Sequence, residues 1–397
     1  MLDDEYTPAW AKTPPGYFEA PELILKMLFA AWGVLNSLPP ELRAMAELPM
    51  NDPRRLDFDG IPKPDRIGVP ISALHGHQRT LAHNLIASGL SLRGYTQALQ
   101  IMALENVLRE INAIENLAIG VATGEFRNPD DYRLCFFGRP GFEDTWGWQV
   151  LGHHFMASYT IIRQRYITAT PSFMGAEPAS IGVMNPLGTE EDLGLEILAA
   201  LPGELRDAAV IHDVAPADLA TRWVPRVGQV EYPDHVDLGI PSYELSDHDR
   251  ERLKFERDRP TGVSLAQLGP TARELLERLI GWYCGRLAEE IADSLRRRFR
   301  EEKPENVFFC WAGQDKSDAP HYYRIQTTDF VIEFVKSVDH GNHIHGVFRD
   351  LDNDFGHSLL AHHYAQERAR GYNLSRRLIS SVPAHQHDEP DQGNPGK

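Results

Sequence analysis

The chain has 397 residues, of which 42% are hydrophobic, enough for one large domain or two ordinary ones with a continuous core. Its formal net charge is −17, and no candidate face carries a run of Lys or Arg. This argues against nucleic acid or an anionic membrane as a partner, because phosphate binding needs concentrated positive charge. No stretch approaches about 18 uninterrupted apolar residues. The N-terminus has acids where a signal peptide needs bases, so we expect a cytoplasmic protein.

The first part of the chain is predicted to be mainly helical. Residues 1–20 are interpreted as an irregular N-terminal extension, after which Pro21 opens a helix with apolar residues at helical spacing. The segment "SLPPELRAM" restarts a helix after its prolines, and residues 51–70 are rich in turn formers. Residues 72–115 then carry two long amphipathic patterns, which are interrupted near "SGLSLRG".

From residue 143 the apolar pattern changes to a period of two, which is typical of a β-strand. We interpret "TWGWQVLGHHFMASYTII" as one strand, so that His153 and His154 project from opposite faces and only one of them can face a given site. Gly152 leaves room beside them for a ligand or another backbone. The segment "RQRYITATPSF" can return as the next strand.

The last third of the chain combines a long helix with short strands. Residues 270–302 keep an apolar stripe at helical spacing over about eight turns, with charges opposite. The segments "NVFFCWAG", "HYYRIQTTDF", "VIEFVKS" and "NHIHGVFRD" predict an antiparallel sheet, and "GHSLLAHHYAQERARG" predicts a closing helix. Residues 382–397 are polar and predicted to be disordered. The fold class is therefore predicted as α+β, with one domain over residues 21–381: a helical N-terminal half packed on a mainly antiparallel sheet, plus a long C-terminal amphipathic helix.

The pair His343 and His345 is the sharpest chemical signal in the chain. Residues two apart on a strand project from the same face, so one cation can bind both imidazoles. The candidates for a further ligand are His153, His154, Asp350, Asp354 and His363. Two imidazoles with a carboxylate or a third imidazole suit a divalent metal such as Zn, Fe or Mn, with a position left for water or substrate. Histidines also occur at this spacing without metal, and acid–base use stays open.

The loop "RDLDNDFG", between the last strand and the closing helix, holds further charged residues. Arg349 can hold a carboxylate in a bidentate pair, either an internal Asp or an anionic substrate. Asp350, Asp354 and His363 are candidates for moving protons. Asp354 can equally cap the helix that follows.

Several common site motifs are missing from the sequence. There is no GxGxxG after a strand, no GxxxxGK[ST], no GxSxG, no HExxH and no EF-hand loop, so we expect no nucleotide cofactor and no serine hydrolase, zincin or calcium site. Cys135, Cys284 and Cys310 are widely separated in apolar surroundings and are predicted to be core thiols.

Taken in order, "WGWQVLGHHFMASYT", "TPSFMGAEPAS", "YYRIQTTDFVIEF" and "NHIHGVFRDLDNDFG" resemble a bacterial family of unknown function, DUF 3500. The resemblance extends over about residues 25–370, from "SLPPELRAM" to "LLAHHY". It names no reaction, but it implies where the family's motifs fall on this chain. These positions are His153, His154, His343, His345, Arg349, Asp350, Asp354, Phe355, Gly356 and His363.

The leading hypothesis is an enzyme, a lyase or hydrolase, that cleaves a bond in a small organic substrate. His153 or His154 would bind a divalent metal together with His343 and His345, and Asp350, Asp354 or His363 would move protons. Aromatic residues close to the histidines in sequence leave an aromatic substrate open. These residues are Trp146, Trp148, Phe155, Tyr322, Tyr323 and Phe348.

Three alternatives stay open. The same cluster could act without metal as an acid–base lyase of retro-aldol or elimination type, with Arg349 stabilising negative charge. The chain could be a non-catalytic ligand- or metal-binding protein, or its histidines and acids could only stabilise the fold. We expect a small-molecule substrate, with neither nucleic acid nor membrane as a partner, and leave a homodimer open as the assembly.

Overall fold

The structure is a computed structural model that describes residues 18–60, 66–119, 128–221, 223–228 and 246–380. Most of the predicted N-terminal extension and all of the predicted tail at 382–397 lie outside these ranges. Within them, helices and one large mixed sheet confirm the α+β class.

The helices of the described residues begin where the prolines and turn formers predict. Pro21 is the first residue of its helix, and the two patterns within residues 72–115 form separate helices. None of the described helices is both long and apolar enough to cross a membrane. The helices are α1 (Pro21–Ser37), α2 (Pro40–Ala46), α3 (His77–Gly89), α4 (Leu92–Ile119), α5 (Gly188–Ala200), α6 (Gly203–Ala209), α7 (Asp247–Leu253), α8 (Pro270–Cys284), α9 (Glu289–Glu301), α10 (Val338–Gly341) and α11 (His357–Ser380).

All fourteen strands of the described residues belong to one sheet. They are β1 (Phe18–Glu19), β2 (Glu47–Leu48), β3 (Val69–Pro70), β4 (Arg133–Phe137), β5 (Thr145–Gly152), β6 (Phe155–Ile162), β7 (Tyr166–Thr168), β8 (Ser172–Ala176), β9 (Val210–His212), β10 (Val263–Ser264), β11 (Phe308–Gly313), β12 (His321–Gln326), β13 (Phe330–Lys336) and β14 (Ile344–Asp350). The pairs β2–β4 and β9–β11 are parallel, and the other strand pairs are antiparallel. The four β-rich segments of the last third thus form β11–β14, as predicted.

The sheet joins two distant parts of the chain. Strands β11–β14 pair in sequence order, and so do β4, β5 and β6. Strand β8 pairs with β6 on one side and with β14 on the other, so the two parts meet at the β8–β14 junction. There His345 lies opposite Gly175 and Ile344 opposite Ala176.

Each face of the sheet has its own apolar core. The larger core contains residues of α1, α3, α4, α5 and α8 together with Ile344 and Phe348 of β14. The smaller core, on the other face, contains Val347 with Phe58, Phe173 and others. Because side chains alternate along a strand, His345 points to the face of the smaller core.

The segment predicted as one strand through "GHH" is a hairpin, and that prediction was wrong. Strands β5 and β6 pair antiparallel with Gly152 opposite Phe155, which leaves His153 and His154 as the two turn residues. His154 has a φ of +61°, a conformation that turns usually give to Gly or Asn. The sequence lacks that turn signature, so the apolar alternation appears continuous.

The pattern over residues 270–302 forms two helices, α8 and α9, rather than one unbroken helix. Between them the backbone pairs with the α3–α4 connection: Ser91 N–H donates to Arg286 O (2.9 Å) and Ala288 N–H to Gly89 O (3.0 Å). The buried Arg286 side chain also forms an ion pair with Glu190 at 2.8 Å. These long-range bonds interrupt a stripe that is locally continuous.

Candidate metal centre

Three imidazoles meet at the β8–β14 junction. His154 Nε2 lies 2.7 Å from His343 Nε2, which lies 2.9 Å from His345 Nε2. The three ligand nitrogens lie within 4.8 Å of one another, close enough to hold a single metal ion. We call His154, His343 and His345 the histidine triad. It combines the predicted His-x-His pair with one of the two histidines of the "GHH" segment.

The hairpin turn carries His154 into this position. Its N–H donates to Gly60 O at 3.2 Å, and its C=O accepts from Gly175 N–H at 2.7 Å. A Cβ on Gly175 would lie 2.7 Å from His154 Cδ2. The imidazole therefore occupies the space that a side chain at position 175 would fill. Glycine at 175 therefore lets the turn dock closely against β8 and reach His343.

His345 is oriented by a carboxylate on its other ring nitrogen. Its Nδ1 lies 2.8 Å from Asp218 Oδ1, and in the tautomer whose Nδ1–H donates to this oxygen the Nε2 lone pair is aimed at the triad. Asp218 also accepts from Trp223 Nε1–H at 2.6 Å and from Leu219 N–H at 2.8 Å. Burial works against the charged carboxylate, but its interaction with His345 and these hydrogen bonds outweigh burial and lower the pKa of Asp218.

The segment that carries Asp218 is fastened to β13. The buried carboxylate of Glu333 accepts from Ala220 N–H (2.7 Å), Thr221 N–H (3.1 Å) and Tyr322 O–H (2.7 Å). Ser337 O–H donates to Ala217 O at 3.0 Å. Glu333 of β13 and Ser337, the residue just after this strand, thus fix residues 217–221, and with them the acceptor of His345.

His343 is the most accessible member of the triad, with a side chain 17% exposed. Its Nδ1 lies 3.8 Å from Glu177 Oε2, and Glu177, Asp339 and His343 form another group with metal-ligand spacing. Two members of the triad therefore have a carboxylate near Nδ1, an arrangement common for histidines that bind metals.

Aromatic rings bound the triad on the face of the smaller core. The ring centroids of Phe173 and Trp223 lie 5.3 Å and 5.6 Å from that of His345, and Phe58 lies 5.2 Å from Trp223. Phe58 and Phe173 are buried core residues, as are the aromatic residues noted from the sequence, such as Trp146 and Tyr323. Trp223 is partly exposed, and the rings nearest His345 are not those that the sequence suggested.

His153 lies beside the triad, and its ring contacts His154 and Glu105. Its ring stacks on His154 with centroids 3.7 Å apart, and its Nδ1 hydrogen-bonds Glu105 of α4. Glu105, His153 and His154 also have metal-ligand spacing. Of the two adjacent histidines, His154 is the one that meets His343.

The charged residues after the triad form internal ion pairs. Arg349 Nε donates to Asp354 Oδ2 at 2.6 Å, and Arg298 Nη1 to Asp350 Oδ2 at 2.7 Å. Burial raises the pKa of Asp354 to about 6, against the opposing effect of Arg349. Arg349 lies four residues beyond His345 on β14, about 13 Å along the strand. The predicted proton-transfer residues Asp350 and Asp354 are thus engaged in buried ion pairs.

The predicted residue His363 lies on α11, where its half-buried ring is 5.5 Å from that of Tyr364.

A family model described as "Protein of unknown function (DUF3500)" matches residues 21–357. The chain belongs to this family. No curated protein and no solved structure matches the DUF3500 chain. The matched range includes the triad, Asp218, Glu105 and Glu177, and it ends before His363.

Sequence analysis of this DUF3500 protein did not identify Asp218, Glu105, Glu177 or Trp223. The three acids lie in separate segments, and the chain has 57 acidic residues, so spacing could not single them out. They become visible only through their hydrogen bonds and ring contacts with the histidines.

Proposed function

We propose that this DUF3500 protein is a metal-dependent enzyme, a hydrolase or lyase, acting on a small organic substrate. The convergence of three imidazole Nε2 atoms carries the proposal. Neutral imidazole is a ligand for zinc and iron, and a hydrogen bond from Nδ1–H to a carboxylate directs Nε2 to the ion. Zn, Fe or Mn are the metals we consider.

Three protein ligands leave a coordination position for water or a substrate oxygen. When bound, a divalent ion supplies Lewis-acid chemistry: it polarises that oxygen or lowers the pKa of the water. The chain itself holds the imidazoles in place through Asp218 and Gly175. Trp223, whose indole is partly exposed, supplies an apolar face that suits a flat organic substrate.

For proton transfer we propose His153 with Glu105. Asp350 and Asp354 are engaged by Arg298 and Arg349, whereas His153 stacks directly on a triad ring. A carboxylate on Nδ1 fixes the imidazole so that Nε2 can accept or donate a proton, as in other acid–base pairs.

A metal-free acid–base lyase is the second candidate, because the Nε2 atoms of the triad lie at direct hydrogen-bond distances of 2.7 Å and 2.9 Å. Imidazoles that share protons in this way could carry out a retro-aldol or elimination step without an ion.

Metal analysis of untagged protein separates these candidates. We expect about one transition-metal ion per chain, lost on His343→Ala or His345→Ala and retained in the exposed control His77→Ala. A wild-type content below about a tenth of an ion per chain, after growth with Zn, Fe and Mn supplied, would favour the metal-free lyase.

Turnover separates an enzyme from a binding protein. Metal-loaded protein should hydrolyse or cleave at least one member of a panel of esters, amides and β-hydroxy carbonyl compounds. The variant His153→Gln should keep the ion and lose activity by about 10²-fold or more, the usual contribution of an acid–base group. Metal bound with no turnover across such panels would support the non-catalytic alternative.

A further inference from the structure

The corner between α8 and α9 forms a cationic cleft in a protein whose net charge is strongly negative. A cavity of ≈ 510 Å³ lies there, lined by three arginines, an indole and a hydroxyl, and no described acidic residue lines it. Its main lining residues are Arg93, Arg278, Arg296, Thr189, Trp282 and Gly285.

Two of the guanidinium groups meet over Gly285. A Cβ on this glycine would lie 2.9 Å from Arg296 Nη2 and 3.0 Å from Arg93 Nη2. The absence of a side chain lets both cations approach the same backbone position. Gly285 is also where the long helical pattern is interrupted, so the cleft exists because α8 and α9 are separate helices.

The cations of this cleft are incompletely neutralised. Arg93 stacks on Trp282 at 3.8 Å and donates to Gln97 Oε1 at 3.1 Å, which are neutral partners. Arg296 pairs with the largely exposed Asp293 at 2.8 Å. Burial and the nearby charges of Arg286 and Arg296 lower the pKa of Arg93 to about 10, although the carboxylate of Glu190 acts in the opposite direction. Like charges held together at reduced solvation favour binding of an anion.

The first turn of α5 borders the same cleft. Thr189 is its second residue, and the first turn of a helix carries a partial positive charge and N–H groups without helical partners. The two acids of that turn are already paired, Glu190 with Arg286 and Gln97 and Glu191 with Lys336. The helix end therefore adds to the positive potential at Thr189.

We propose that this cleft binds the phosphate or carboxylate group of a small metabolite. Arginines recognise both groups through paired N–H donors, and the cavity has room for a small molecule beyond the oxyanion. The cleft is distinct from the histidine triad. A Cβ on Gly346 would lie 3.5 Å from Tyr283 Oη of α8, so α8 packs behind β14, on the face opposite His345.

Titration with inorganic phosphate, pyrophosphate or citrate, at constant ionic strength set with chloride, tests the proposal. At least one anion should raise the melting temperature saturably, because a ligand of the folded state stabilises it. Arg296→Gln should weaken that response about tenfold or more, whereas Arg297→Gln, an exposed neighbour that does not line the cavity, should respond as wild type.

His343→Ala should keep the anion response, which separates this cleft from an anion bound at a metal in the triad. A phosphate-only response identifies a phosphoryl ligand, and a citrate-only response a carboxylate ligand. A wild-type response no larger than that to chloride would overturn the proposal. Equal responses of Arg296→Gln and Arg297→Gln would also overturn it. Arg296→Gln removes both a charge that repels Arg93 and an exposed pair with Asp293 that contributes little, so without anion it should melt close to wild type, and loss of response then reflects the cleft and not misfolding.

Discussion

At the scale of single residues, the geometry of the triad depends on side chains that hold one ring nitrogen of an imidazole and direct the other into the triad. Asp218 does this for His345 at 2.8 Å, and it is itself held by Trp223 and Leu219. An imidazole fixed in this tautomer is a better ligand than one that rotates, because no proton has to leave Nε2 before the metal binds.

Asp218→Asn should weaken metal affinity by about 10- to 100-fold, the usual effect of removing a carboxylate from a ligating histidine. Competition with a chromogenic chelator measures this affinity. Asp213→Asn, an exposed position in the same segment, is the matched control and should bind as wild type. Equal affinities of the two variants would show that Asp218 does not orient His345.

His321 makes the stability of the folded protein depend on pH, and it does so independently of the triad. It is fully buried between Trp311 and Phe334, and burial lowers its pKa from 6.5 to about 4. At a pH between these two pKa values, His321 is protonated in the unfolded chain but not in the folded chain. Stability is therefore lost as the pH falls from about 7 to 4. The size of this loss is up to about 3 kcal/mol.

His321→Phe should therefore flatten the dependence of the free energy of unfolding on pH between 7 and 4. The flat ring keeps the stack and cannot take up a proton, although it loses the bond from Nδ1–H to Ala319 O at 2.8 Å. Urea denaturation at several pH values measures the slope. The exposed control His77→Phe should keep the wild-type slope, and an unchanged slope in His321→Phe would contradict the assignment.

At the scale of elements, the site is formed by the way one hairpin and one loop are fastened to the sheet. The β5–β6 turn docks against β8 through Gly175, and the loop at 217–221 is held by Glu333 of β13. Both contacts join elements that are distant in sequence. Each of them supplies one group of the site: His154 from the turn and Asp218 from the loop.

Gly175→Ala should displace the turn. The new Cβ would meet His154 Cδ2 at 2.7 Å and Ile344 O at 2.8 Å, and the backbone oxygen cannot move without disturbing β14. We expect a loss of about 1–3 kcal/mol in the free energy of unfolding and weaker metal binding. Gly203→Ala, where nothing lies within 4 Å of the new Cβ, should be neutral or slightly stabilising.

Urea denaturation and metal content of the two glycine variants provide the comparison. Wild-type stability together with full metal content in Gly175→Ala would mean that the close approach of the turn to β8 is not needed for the site.

At the scale of the whole molecule, the triad links two parts of the chain across the β8–β14 junction. His154 and His343 are 189 positions apart in sequence. A metal ion held by both can bind only when the two parts of the sheet are paired. Binding to the folded state alone stabilises that state by mass action.

Removal of metal with a chelator should therefore lower the melting temperature of the wild-type protein. His343→Ala should melt at the same temperature with and without chelator, because it has no ion to lose. Differential scanning fluorimetry in matched buffers measures both, and re-addition of one metal should restore the wild-type value. A chelator effect of equal size in both proteins would place the stabilising ion elsewhere.

Much of the fold and part of the candidate site could be predicted from sequence patterns that extend over only a few residues. Pro21 opens α1, the four β-rich segments form β11–β14, and the spacing of His343 and His345 places both rings on one face. These predictions hold because side-chain direction and helix initiation depend on residues only a few positions apart. The pattern failed at His153–His154 and at Gly285, where long-range backbone bonds set the conformation.

The sequence by itself determined the α+β class and the placement of His343 and His345 on one face near the C-terminus. Only the tertiary structure decided that His154 is the third imidazole, that Asp218 orients His345, and that Arg93 and Arg296 meet over Gly285. The physical reason is the same in each case. Periodicity reports which face a side chain occupies, whereas a site requires faces from separate segments to meet, and that depends on how the whole sheet pairs and packs.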